Sequence, residues 1–213
     1  MDLHALLKQF QSRTPTILGS ENFSKFAVLL PLIEKDGEIH ILFEVRSHHM
    51  RRQPGEVCFP GGRFDPGDED ERFTAIRETS EELGVAPSDI EHVVPLDFML
   101  SFSRIIYPFA GVLPSSAELN LNPDEVAEVF TVPLPYLLSV EPDCYPIHFK
   151  VEPEEDFPYE LINGGKEYNW QTRKVNEYFY HYENRVIWGM TARILKHFLD
   201  MVKKSAPSTR FSS

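Results

Sequence analysis

The chain has 213 residues, 42% hydrophobic and 25% charged, which is enough apolar content for a substantial core and too much for a disordered protein. Its formal net charge of -12, from 21 Lys and Arg against 33 Asp and Glu, argues against general nucleic-acid binding, which needs a long basic stripe. No apolar run is long enough to cross a membrane, the start Met1-Asp2-Leu3-His4-Ala5-Leu6-Leu7-Lys8 does not read as a signal peptide, and Cys58 and Cys144 do not make a disulfide framework, so the expected location is the cytoplasm.

From Asp2 to Arg13, apolar residues at Leu3, Leu6, Leu7 and Phe10 have the spacing of an amphipathic helix over about residues 2–13. Phe26 to Ile33 is continuously apolar, and Lys35-Asp36-Gly37-Glu38 turns it into a second run, Ile39 to Val45; together they read as a hairpin. A strand at Val57 to Phe59, with Cys58 as a small buried residue, feeds Pro60-Gly61-Gly62, where glycine lets the backbone approach a ligand. A helix over about 70–83 follows, with Phe73, Ile76 and Leu83 as its burying face. His92 to Phe102 and Ile105 to Leu113 are strand candidates, as are Tyr145 to Val151 and Asn176 to Tyr182, the last two separated by an acidic, proline-rich stretch and a turn at Asn163-Gly164-Gly165-Lys166. Leu134 to Leu138 serve as core or as a dimer contact, so a homodimer is open. No repeat or linker divides the chain, so residues 1–203 read as one domain and 204–213 as an aperiodic, disordered tail.

The chemistry concentrates on the helix. Glu78, Glu81 and Glu82 stand three and four residues apart, so at about 100° per residue they project from adjacent turns into one patch. Like charges at that spacing cost a few tenths of a kcal/mol per pair, roughly, unless a cation sits between them. Hard cations such as Mg²⁺ take one or two carboxylates, several waters and substrate phosphate oxygens. Such a cation also explains how an acidic protein acts on an anion.

The segment resembles the Nudix box: Gly, five residues, Glu, seven residues, then Arg-Glu-hydrophobic-x-Glu-Glu-x-Gly-hydrophobic. Arg77-Glu78-Thr79-Ser80-Glu81-Glu82-Leu83-Gly84-Val85 fits its second half except at Thr79, and the box spans about 62–85. Counting back from Arg77 puts the isolated acid at Glu69 and the opening glycine on Arg63, so Gly62 takes that place with one extra residue in the loop. Upstream, Arg46-Ser47, three residues, Arg51, three residues, Gly55, three residues, Phe59-Pro60-Gly61-Gly62 is similar to the motif of the coenzyme A pyrophosphatase branch. Its usual opening, Leu-Leu-Thr-x-Arg, is altered here to Leu42-Phe43-Glu44-Val45-Arg46. Arg46, Arg51 and Arg52 also make chemical sense there, because guanidinium forks match phosphate oxygens. Ile187-Trp188-Gly189-Met190-Thr191-Ala192, within Asn184 to Leu195, resembles the final helix of that branch, with Trp188 as a packing anchor.

The resemblance implies an α/β fold, the Nudix α/β/α sandwich with a mixed β-sheet between helices. It implies hydrolysis of coenzyme A, or a derivative, to 3′,5′-ADP and 4′-phosphopantetheine with Mg²⁺ or Mn²⁺. Glu78 and Glu82 would hold metal, Glu81 would ligate a second ion or take the water's proton, and Arg77 would orient Glu81. Glu125, followed by a short helix near Tyr136 to Ser139, is the competing base or an extra ligand; Arg46, Arg51, Gly61 and Gly62 would bind substrate. The rival readings are a Nudix hydrolase of ADP-ribose or another nucleoside diphosphate derivative, and a non-catalytic divalent-ion or nucleotide-binding module.

Overall fold

The structure, a computed structural model, describes residues 2–205. Strands β1 (Ser24–Lys35) and β2 (Glu38–Arg46) form the expected hairpin, and Asp36 and Gly37 at its turn both have positive φ, as a two-residue hairpin loop requires. β1 runs parallel to β7 (Arg104–Leu113), which pairs antiparallel with β5 (Glu91–Pro95) and β6 (Met99–Ser101). β2 pairs antiparallel with β8 (Val126–Pro133) on its other edge, completing a mixed sheet.

The central strands read as unbroken apolar runs because both their faces are covered. Ala27, Leu29, Leu42, Phe109 and Leu113 pack on one side; Leu30, Ile41, Phe43, Ile106 and Ala110 pack on the other. Helix α2 (Glu71–Leu83) lies on the first side, while α3 (Leu134–Ser139) and α4 (Gly189–Ser205) lie on the second. This is an α/β/α sandwich. Leu134 and Leu137 are buried in the chain's own core, which accounts for that apolar stretch without a partner. A small antiparallel sheet of β9 (Asp143–Phe149), β10 (Arg173–Tyr182) and β11 (Arg185–Ile187) adjoins α4.

The feature that positions the site is a split in the main sheet. β1 and β2 pair only from Leu32 and Ile41 to their turn, and then part. Segment 57–63 bridges the gap: β3 (Val57–Cys58) pairs with Glu44 and Val45 of β2, and β4 (Gly61–Arg63) pairs with Phe26 to Val28 of β1.

Several expectations need correction. The N-terminal helix covers only Leu3–Lys8 (α1) and buries no side chain, leaving Leu3, Leu7 and Phe10 exposed; apolar spacing does not extend a helix that finds no surface to cover. Of the expected face of α2, Leu83 is buried and Ile76 packs partly buried against the same core, but Phe73 is 42% exposed, and Thr74, Ala75, Thr79 and Glu82 complete the buried face. Thr79 sits in the apolar position because its hydroxyl donates to the Ala75 carbonyl at 2.7 Å, leaving only its methyl to pack. Residues 92–102 divide into β5 and β6, and Asn184 to Leu195 opens with β11 before α4 begins. The tail expected at 204–213 is contradicted at Lys204 and Ser205, through which α4 continues; the rest of that expectation lies outside the described residues.

Candidate active site

Helix α2 is held at both ends. The Asp70 carboxylate accepts from the Phe73 N–H at 2.7 Å, a cap worth about 1 kcal/mol. At the other end the Glu82 and Leu83 carbonyls accept from the Asn122 and Asn120 N–H groups at 3.0 and 2.9 Å, so the loop that carries Glu125 is clipped to the helix.

The three helix acids have different surroundings. Glu82 is 4% exposed and accepts the Gly61 N–H at 2.7 Å. Glu78, half-buried, lies 2.9 Å from an Arg77 nitrogen and against Gly62, where a Cβ would collide with its carboxylate. Glu81 is exposed and 3.2 Å from Arg77. Burial pushes the Glu78 and Glu82 carboxyls up from their usual range, and the neighbouring Glu44 raises Glu82 further. The charge of Glu125 acts on both, so its carboxylate is within electrostatic reach of the helix face, although its only side-chain hydrogen bond among the described residues is accepted from Asn122 at 3.4 Å.

Arg77 does more than the sequence suggested. It meets Glu81, as expected, but its firmest partner is Asp68, which it holds through two bonds of 2.9 and 3.0 Å. That contact holds the Asp68 carboxyl well below the usual carboxylate range. Asp68 also accepts from the Thr74 hydroxyl and the Asp65 N–H at 2.8 and 3.0 Å, whereas Glu69 is exposed. The Nudix-box spacing contains the signal: counted forward from Gly62, Asp68 stands after five intervening residues, so the extra loop residue follows the acid instead of preceding it. Glu44, also unforeseen, is fully buried on β2 and accepts from the Cys58 thiol at 3.1 Å.

On the other side of Gly61 and Gly62 lies a cavity of ≈ 870 Å³ between the main sheet, the small sheet and the start of α4. Arg46 and Arg52 line it, and the Nε of Arg46 is buried without a hydrogen-bond partner. Arg51 is exposed and does not line it. Arg104, Arg173 and Arg193 join from strands and a helix far along the chain, as sequence spacing could not foretell. Trp188 is less a core anchor than expected: it is 42% exposed, stacks on Phe179 with centroids 5.9 Å apart, and faces the cavity. The remaining wall is apolar, with Phe26, Phe102 and Phe149 among its members.

Among the described residues, no three His, Cys, Asp or Glu side chains are gathered as a ready ligand set. Glu82 is engaged by Gly61 and Glu78 by Arg77. The donors are nevertheless all oxygens, buried enough that their charges need compensation, and this suits a hard divalent cation.

Residues 24–152 match the NUDIX domain family. The chain belongs to the Nudix hydrolase family. It is 44% identical over 118 residues to a peroxisomal coenzyme A diphosphatase of Mus musculus, NUDT7, covering 54% of this chain and 49% of that protein, so it spans about half of that relative's length. To an uncharacterized Nudix hydrolase of Photorhabdus laumondii, NudL, it is 32% identical over 198 residues, 92% of this chain and 94% of the relative. A MutT/nudix family protein of Enterococcus faecalis shares the fold, with a TM-score of 0.51 at 15% identity over 95% of this chain and 70% of that one. In Nudix terms, the box supplies Asp68, Arg77, Glu78, Glu81 and Glu82, and the bridging segment 57–63 connects them to the cavity.

Proposed function

We propose that the chain hydrolyses the pyrophosphate bond of coenzyme A, or of a derivative, to 3′,5′-ADP and 4′-phosphopantetheine, using Mg²⁺ or Mn²⁺. The observation that carries this reading is the juxtaposition at Gly61 and Gly62: carboxylates on one side, and an arginine-lined cavity with apolar walls on the other. In an acidic chain, that gathering of guanidinium groups suits a ligand with several phosphates. The volume is within the usual range for a small-molecule site, and the apolar wall suits a pantetheine or acyl-pantetheine arm. The partial match to the mouse coenzyme A diphosphatase supports the same substrate.

Glu78 and Glu82 would hold the cation, with Glu81 at the solvent edge able to reach a second one. A cation held there would supply charge neutralisation of the pyrophosphate and activation of the attacking water. Arg46 and Arg52 bind phosphate oxygens, and the small Gly61 and Gly62 let the diphosphate approach the helix. Water attacks one phosphorus in line, the bridging P–O bond breaks, and the water's proton passes to Glu81 or Glu125. Arg77 positions Glu78 and Glu81 and is itself fixed by Asp68. The two free cysteines fit a reducing compartment, and we assign the cytoplasm; no described helix is long and apolar enough to cross a membrane.

Incubation with coenzyme A, ADP-ribose, dinucleoside polyphosphates and NADH in Mg²⁺ and Mn²⁺, with chromatographic separation of products, tests the reading. Release of 3′,5′-ADP from coenzyme A supports it. Turnover of ADP-ribose with coenzyme A intact assigns another nucleotide substrate, and metal binding without any turnover assigns a non-catalytic module.

A further inference from the structure

We propose that Glu44 is a positioning residue of the cation site: a buried carboxylate standing behind Glu82 that strengthens the hold of the Glu78–Glu82 face on a divalent ion. The inference rests on the metal-dependent reading above. Nothing in the box points to Glu44, because it lies on β2, far from α2 in sequence.

Three observations place it. First, alternation along β2 turns it towards α2: Leu42, two residues earlier, packs in the cluster that contains Ala75 and Leu83, whereas Ile41 and Phe43 pack in the opposite one. Second, Glu44 is 0% exposed, and its Oε2 has no hydrogen-bond partner. A buried carboxylate oxygen left without a donor is costly, and such a residue persists where something else compensates it. Third, Cys58 crosses from β3 to donate to Oε1 at 3.1 Å, which fixes the carboxylate while leaving the other oxygen free. The same segment continues to Gly61, whose N–H holds Glu82. Glu44 and Glu82 are thus tied to the two ends of one short bridge.

The electrostatics agree. Glu44 acts on Glu82 strongly enough to raise its carboxyl after burial has done so, and Glu125 acts on both. A second negative charge that close makes the empty site self-repelling and a cation in it more tightly bound. Glu44 is also where this chain departs from the motif around Arg46, which has Thr at that position.

The test is calorimetric titration of Mn²⁺ into the metal-free full chain, alongside thermal unfolding with and without Mn²⁺. Glu44→Gln and Glu44→Thr should each weaken Mn²⁺ binding by about tenfold or more, and Glu44→Asp, which keeps the charge, should recover much of it. Neither neutral variant should lose metal-free Tm, since each removes a buried charge. Affinity unchanged within about twofold in both neutral variants, with wild type binding Mn²⁺, overturns the role of Glu44 and leaves the metal-dependent reading standing. A drop in metal-free Tm with unchanged affinity assigns a purely structural role and also overturns it. If wild type binds no Mn²⁺, both readings fall.

Discussion

The two sides of the Gly61–Gly62 bridge are built differently. On the helix side, a short stretch of chain from Asp68 to Glu82 supplies most of the groups, and bonds of 2.7–3.2 Å fix them: Asp68 to Arg77, Arg77 to Glu81, Gly61 to Glu82. On the cavity side, Arg46, Arg52, Arg104, Arg173 and Arg193 converge from separate elements, and among the described residues none of their side chains hydrogen-bonds another protein group. The helix side is wired before substrate arrives, as the proposed cation-holding and water-directing roles require. The cavity side keeps its donors available for a ligand. Damage to the first should appear in kcat and damage to the second in KM.

The sharpest break in this contrast is Glu82→Gln, because a neutral amide is a poorer ligand for a hard cation. It should lower kcat by about 10²-fold or more with the fold intact, checked by initial rates and circular dichroism. Gly62→Ala should come close to that, since its Cβ would displace the Glu78 carboxylate, and misplacement by about 1 Å costs roughly 10²-fold. Asp68→Ala should lower kcat by about tenfold by releasing Arg77, and lower stability by about 2 kcal/mol through the lost charged hydrogen bonds, read by urea unfolding. Glu69→Ala should do neither.

On the other side, Arg46→Ala should raise KM by about tenfold with kcat nearly retained, whereas Arg51→Ala should leave both almost unchanged. A larger KM effect with coenzyme A than with dephospho-coenzyme A would assign Arg46 to the 3′-phosphate; an equal effect would assign it to the pyrophosphate. The smallest effect expected is one of pH. Glu44 and Glu82 have raised pKa values, so above the usual 4.5 the folded state holds protons that the unfolded state has lost. Metal-free stability should therefore fall as pH rises from about 5 to 8, and Mg²⁺ should flatten that slope. Asp68 has the opposite sign: its contribution is present above the usual 3.8 and is lost as pH falls below it. Thermal unfolding across pH, with and without Mg²⁺, reads both trends.

The same asymmetry decided what could be read from sequence. Helix α2, its acids and the glycine turn are local, and helical periodicity with box spacing exposed them. The hairpin of β1 and β2 was equally visible from its apolar runs and Asp36-Gly37. Asp68 was missed because counting from Arg77 gives Glu69 and counting from Gly62 gives Asp68, and only packing decides between the two. Glu44 looked like an altered motif letter until the strand's alternation turned it towards α2. Arg104, Arg173 and Arg193 carry no local signal, because a parallel strand, a second sheet and the last helix are needed to bring them together. Phe73 and the N-terminal helix failed for the converse reason: their apolar spacing was real, but no surface covers them.

The most direct measurement is kcat/KM for coenzyme A relative to ADP-ribose in Mg²⁺. Hydrolysis of coenzyme A at a kcat/KM at least about tenfold higher, with 3′,5′-ADP as product, is the predicted result, one such factor corresponding to 1.4 kcal/mol of transition-state discrimination. A preference for ADP-ribose, or no turnover of either, would contradict the account.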